Sequence, residues 1–126
     1  MDLGQLRKII LEKVKDEIIN PKISVYRDEL QANIEFTISD IKECINQPCS
    51  TPVFIIKLNL IADHLIESLT VAEYMGYTTY QTHTKAHILG CHYFKTQLGD
   101  VVLHFNVQFT TQKKRILYTI TEKVHL

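Results

Sequence analysis

The chain has 126 residues, 45% apolar and 22% charged, which suits one folded domain with a single core. Its 14 Lys and Arg balance 14 Asp and Glu, so there is no basic footprint for nucleic acid or anionic lipid. The first twenty residues carry charges throughout and no signal peptide is expected, while Cys44, Cys49 and Cys91 form no CxxC pair and read as reduced thiols in a cytoplasm.

Residues Asp2–Ile19 place Leu3, Leu6, Ile10, Val14 and Ile18 on one stripe, predicting an N-terminal amphipathic helix within residues 1–20. Asn20-Pro21 ends it, because the residue before a proline disfavours the helical region. Ile23–Tyr26 reads as a short strand and Arg27–Glu29 as a turn. Leu30, Ala32, Ile34, Phe36 and Ile38 then alternate with polar residues, the pattern of a strand with one face in the core. Ser39 is expected to cap a short helical turn over Asp40–Ile45, followed by a loop to Thr51 that contains Pro48.

The stretch Thr51–Gly76 organises the rest. Thr51 suits a cap and Pro52 a first helical position. Phe54, Leu58, Ile61, Leu65, Leu69 and Ala72 recur at spacings of three and four, and Ile55, Ile56, Leu60, Ala62 and Ile66 widen that face around most of the circumference. One long buried helix is the expectation, although the β-branched cluster also allows a strand over Val53–Ile61 before a helix from Asp63. Lys57, Asn59, Asp63, His64 and Glu67 interrupt the apolar run too often for a membrane span.

The remainder reads as an antiparallel meander. Tyr77–Thr96 is extended with a bend or bulge at Gly90, Leu98-Gly99-Asp100 supplies a turn, and Val101, Leu103, Phe105, Val107 and Phe109 share one face. Thr110–Lys114 is a polar turn before a last strand over Arg115–Val124. A long apolar helix needs apolar cover on several sides, and a curved antiparallel sheet around it would provide that cover. The predicted fold is thus a single α+β hotdog domain over residues 1–126, with an additional N-terminal helix.

The order of elements resembles the hotdog-fold acyl-thioester hydrolases, particularly the phenylacetyl-CoA thioesterase type, over roughly Ile23–Val124. The alternating strand, the Asn at Asn46, Ile61-Ala62-Asp63 in place of Leu-Ala-Asp, and Leu98-Gly99-Asp100 in place of the Gly-Asp turn carry the likeness. The resemblance implies an acyl-CoA or acyl-carrier thioester as ligand, Asp63 as nucleophile or general base, Asn46 near the substrate, a homodimer or tetramer, and no cofactor. It departs where His-Gly-Gly falls on Phe54-Ile55-Ile56. The glycines would admit a thioester to backbone donors, and losing one such donor costs ~10²–10³ in rate.

His64 and Glu67 are secondary catalytic candidates, and Asn59 lies on the Asp63 face at helical spacing. Lys113, Lys114 and Arg115 form a basic cluster suited to a coenzyme phosphate. No metal site is expected: His83 and His87 would stand ~13 Å apart along one strand face, and His92 falls on the other. Ala72 and Gly76 echo half of a helix-turn-helix, but the threonine-rich segment that follows is extended. The strand His83–Phe94 is apolar on both faces towards its end, with Leu89, Cys91 and Tyr93 on the side expected to meet another subunit. Two functions follow, a thioesterase built on Asp63 or a hotdog-type binding or assembly module without catalysis. Cystatin-like and NTF2-like α+β proteins also place helix before meander and remain a third reading.

Overall fold

The computed structural model describes residues 2–47, 51–79 and 87–122. Helix α1 (Leu3–Val14) opens with a reciprocal capping box. Asp2 accepts from the Gln5 N–H at 2.8 Å, and the Gln5 side chain accepts from the Asp2 N–H at 3.2 Å. A π-helical turn over Lys15–Ile19 extends it, and Ile10, Val14 and Ile18 are buried as their spacing predicts. Strands β1 (Val25–Arg27) and β2 (Ala32–Glu35) form a short hairpin. The alternating strand expected over Leu30–Ile38 is cut at both ends: Gln31 turns with a φ of 51°, and Ile38 already begins α2 (Ile38–Asn46). Thr37, not Ser39, caps that helix, its Oγ1 accepting from the Asp40 N–H at 3.2 Å.

The single long helix expected from Thr51 to Gly76 is not formed. Helix α3 (Thr51–Asp63) stops at His64, whose φ of −135° and ψ of 14° leave the helical region although its N–H and C=O still bond Leu60 and Ser68, and α4 (Leu65–Val71) resumes for two turns. Ala72 leaves at ψ 147°, and Glu73–Thr79 is strand β3. The helical spacing of apolar residues runs through this break unmarked. Pairing ends the second helix instead of letting it run to Gly76: Tyr74, Tyr77 and Thr78, good strand formers, bond along β4 (Ile88–Leu98). The strand alternative over Val53–Ile61 is not taken either.

With β5 (Val101–Thr110) and β6 (Arg115–Thr121), the sheet has the order β1-β2-β6-β5-β4-β3 and curls into a half-barrel. Every pair is antiparallel except β2–β6, where Ile34 stands opposite Arg115 in parallel register. The sheet is therefore mixed, not antiparallel as expected. The three helices between β2 and β3 form the long crossover that lets the last strand enter beside β2.

Three register shifts place an extra residue in one strand of a pair: Met75 in β3, Leu89 in β4 and Tyr118 in β6. Each bulge adds bend and twist, the means by which a short sheet curls. The shift at Gly90 foreseen in the sequence is one of them. At Met75 the shift has a second effect. Gly76 takes a φ of 122°, open to glycine, and Tyr74 and Tyr77, three residues apart, end on the same face.

That face carries Phe94, Leu103, Phe105, Val107, Leu117 and Ile120 into one core with buried residues of all four helices. Helix α2 lies on β6 and α4 on β1 and β4, while α3 packs chiefly against the other helices. The sheet thus faces several short helices instead of wrapping one long one. Among the described residues, no helix is long and apolar enough to cross a membrane.

Candidate functional site

The break between α3 and α4 opens a surface groove of about 600 Å³ over Ile61, Leu65 and Ile66. Asp63, His64 and Glu67, the three catalytic candidates, all line it, together with Glu17 and Thr70. Asp63 and Glu67, four residues apart, open on the same side, as helical spacing allows.

Their chemistry is that of a solvated surface. Asp63 is 55% exposed and forms an ion pair with Lys13 of α1. The Lys13 hydrogen bond, then its charge, holds the Asp63 carboxyl below the ordinary carboxylate range, and the same pairing raises Lys13. A general base for work near neutral pH needs the opposite shift. The Nδ1 of His64 contacts the Glu67 carboxylate, and both side chains are exposed. Thr70 Oγ1 donates back to the Ile66 carbonyl at 2.6 Å, one turn up its own helix. Asn59 is exposed on α3 and Asn46 is exposed at the end of α2, and neither lines the groove.

Phe54, Ile55 and Ile56 occupy the fourth to sixth positions of α3. From the fifth position onward a helical N–H bonds the carbonyl four residues back, so the Ile55 and Ile56 amides belong to the helix ladder. The Arg7 guanidinium covers the Phe54 ring at 4.9 Å. This segment therefore gives Asp63 no electrophile-activating partner.

Three buried residues do structural work that the sequence reading did not assign to them. Lys57, only 1% exposed, sits among the apolar positions of α3 and donates to the Gln47 carbonyl at 3.0 Å and the Ile120 carbonyl at 3.4 Å, joining α3 to the end of α2 and to β6. Its place within an apolar helical stripe was the available signal. Arg27 reaches from β1 under the sheet. Its Nη1 donates to the Leu69 carbonyl at 2.8 Å, its other edge is paired with Glu29, and its guanidinium stacks 4.6 Å from the Phe94 centroid. Cys44 is fully buried and donates to the Tyr118 carbonyl at 3.5 Å, and burial pushes its thiol up to about 12, far from a nucleophile's range.

A second cluster lies on the helix-covered face, beyond the main core. The directly paired Tyr77 and His92 have ring centroids 4.5 Å apart, and Phe109 stands 6.4 and 6.3 Å from them. Tyr74 shares a 2.8 Å hydrogen bond with His92 Nδ1. Burial, then the charge of Arg115, pushes His92 down to about 4, so the ring is neutral at physiological pH. The basic run 113–115 arrives at the same place. Arg115 Cζ lies 4.6 Å and Lys113 Nζ 5.7 Å from the Phe109 centroid, and Arg115 Nη1 donates to the Lys113 carbonyl. Lys114 is exposed in the same turn. The run lies outside the groove at Asp63, whose lining includes none of it.

Among the described residues, no group of His, Cys, Asp and Glu has the geometry of a metal site. His83 and Cys49, considered in the sequence, lie outside those residues. No protein-family model, curated protein or solved structure matches the chain.

Proposed function

We propose that the chain is a binding or assembly module without catalysis, an α+β half-barrel that places its helices before its meander, as cystatin-like and NTF2-like proteins do. The state of Asp63 carries this reading. Its carboxylate is exposed, held ionised by Lys13, and supplied with no oxyanion donors from Phe54–Ile56. The break at His64 and the parallel β2–β6 pair also take the architecture away from a hotdog, in which one helix fills a wrapped sheet.

The acyl-thioester hydrolase reading keeps one observation in its favour: Asp63, His64 and Glu67 do share a groove. Hydrolysis of short, long and aromatic acyl-CoAs by purified protein, with Asp63→Asn alongside, separates the two. The expected result is no turnover by either form. Turnover that Asp63→Asn abolishes would establish the hydrolase and remove the module.

Assembly as a homodimer or tetramer belongs to the same proposal. Leu89 and Met75 are bulge residues, 36% and 37% exposed, and the outer face of β4 on which Cys91 and Tyr93 lie is the candidate contact. Tyr93 is already buried within its own chain, so Leu89 is the informative position. Light scattering should give a mass above one chain that Leu89→Glu reduces, and a monomeric wild type would end this part of the proposal.

A further inference from the structure

The aromatic and cationic cluster at the far end of the helix-covered face has the composition of a ligand site, and its chemistry is specific enough to name the ligand class. Among the described residues, the ion pairs are Lys13–Asp63, Arg27–Glu29 and His64–Glu67. Lys113, Lys114 and Arg115 therefore stand together with no carboxylate paired to any of them. Arg115 also holds a buried Nε that finds no hydrogen-bond acceptor, while its Nη1 is satisfied by a backbone carbonyl. Three adjacent cations complement a phosphate, which takes several donors at once, better than a single carboxylate.

Beside them the rings divide the work. Phe109 is covered by Lys113 and Arg115, whereas Tyr77 is 39% exposed. The Tyr77 ring is held in place: Gly90 leaves room beneath it, and His92 and Phe109 flank it. An exposed, fixed aromatic ring is a platform on which a nucleobase stacks. With its Nδ1 engaged by Tyr74, His92 keeps Nε2 unpaired among the described residues, a neutral polar atom next to the platform.

We propose that this end of the sheet binds a nucleotide, its base stacked on Tyr77 and its phosphate held by Arg115 and Lys113. The proposal rests on the binding-module reading and gives that module a ligand class. It also gives the basic run a role independent of Asp63.

The test is a calorimetric and NMR titration of the full chain with adenosine 5′-monophosphate, adenosine and inorganic phosphate at low and high salt. AMP should bind at least ~10-fold more tightly than either fragment, and its affinity should fall as salt rises. Tyr77→Ala and Arg115→Met should each weaken AMP about 10-fold or more, whereas Tyr77→Phe should retain it. Circular dichroism of each variant establishes that it is folded. AMP binding no tighter than phosphate or adenosine, or AMP binding indifferent to Tyr77→Phe and Tyr77→Ala alike, would each overturn the nucleotide site. The acyl-CoA assay on the same sample is read separately: turnover there would remove the module reading while leaving the AMP result standing, and absence of both would remove only the nucleotide site.

Discussion

Gly90→Ala probes the joint between fold and binding surface. Gly90 lies outside the positive-φ region, so alanine is conformationally acceptable there and would by itself stabilise the chain by roughly 0.4–1 kcal/mol through the unfolded state. Space decides otherwise. An added Cβ would sit 2.2 Å from the Tyr77 hydroxyl oxygen, 2.4 Å from Cζ and 2.5 Å from the Thr78 carbonyl oxygen. Tyr77 can swing away, but the Thr78 carbonyl is backbone of the paired strand and must move with β3. Overpacking of this kind costs ~1–3 kcal/mol. Swinging Tyr77 out also forfeits its contacts with His92 and Phe109, worth ~0.5–1.5 kcal/mol each. The net expectation is a loss of roughly 2–3 kcal/mol, or ~6–12 °C in Tm for a chain of this size. Thermal melts and urea unfolding read it directly. Adding Tyr77→Ala to the Gly90→Ala variant should recover only part of the loss, because the backbone clash remains. A Tm unchanged or raised in Gly90→Ala would refute the packing of Tyr77 across β4, and the platform proposed above would fall with it.

Lys57→Met keeps the volume of the buried side chain but strips the Gln47 and Ile120 carbonyls of a donor. At ~1–3 kcal/mol for an acceptor left bare, with the 3.4 Å bond the weaker, urea titration should show about 2–3 kcal/mol lost. A neutral or stabilising outcome would mean that the cost of burying the ammonium outweighs its bonds. His92 predicts a pH dependence with a definite sign. Its folded value of about 4 lies below the ordinary 6.5, so between those pH values the unfolded chain binds the extra proton. Stability from this group is full above pH 6.5 and is lost as pH falls towards 4, by roughly 1–3 kcal/mol after allowing for partial exposure. His92→Asn should flatten that part of the stability–pH curve measured by urea unfolding, and an unchanged slope would contradict the burial of the ring. Finally, Asp63→Asn should leave Tm unchanged at physiological salt, because an exposed ion pair adds little; a large drop would show that the Lys13 pairing anchors α1.

Where sequence and fold agree, local physics was sufficient. The N-terminal helix announced itself through Ile10, Val14 and Ile18, and β5 through the strict alternation from Val101 to Phe109, whose Leu103, Phe105 and Val107 are buried. The Leu98-Gly99-Asp100 turn was equally local, with Gly99 at a φ of 63°. Where they part, the deciding partner was distant in the chain. Nothing between Thr51 and Gly76 records that Tyr74 will pair with Phe94, nor does Ile34 record that Arg115 will lie beside it in parallel. The candidate site shows the same division. Asp63, His64 and Glu67 do share a groove, as helical spacing allows, but the exposure and the Lys13 partner that set Asp63's acidity come from packing against α1. The basic run at 113–115 was visible as charge, and its assembly with rings from β3, β4 and β5 was not, because it depends on strand register and on the bulge that puts Tyr77 on that face.

The place of β6 bears on how the protein is made. The N-terminal hairpin is synthesised first, yet the strand that joins it to β5 is the last of the six. Until residue 121 has left the ribosome, β2 has no second neighbour and the apolar faces of Ile34, Phe105 and Val107 lack Leu117 and Ile120 beside them. Non-local closure of this kind slows folding and leaves unpaired edges in the nascent chain. The sheet therefore closes only when its last strand is in place, and exchange of β6 between two unfinished chains is the misassembly this topology most directly invites.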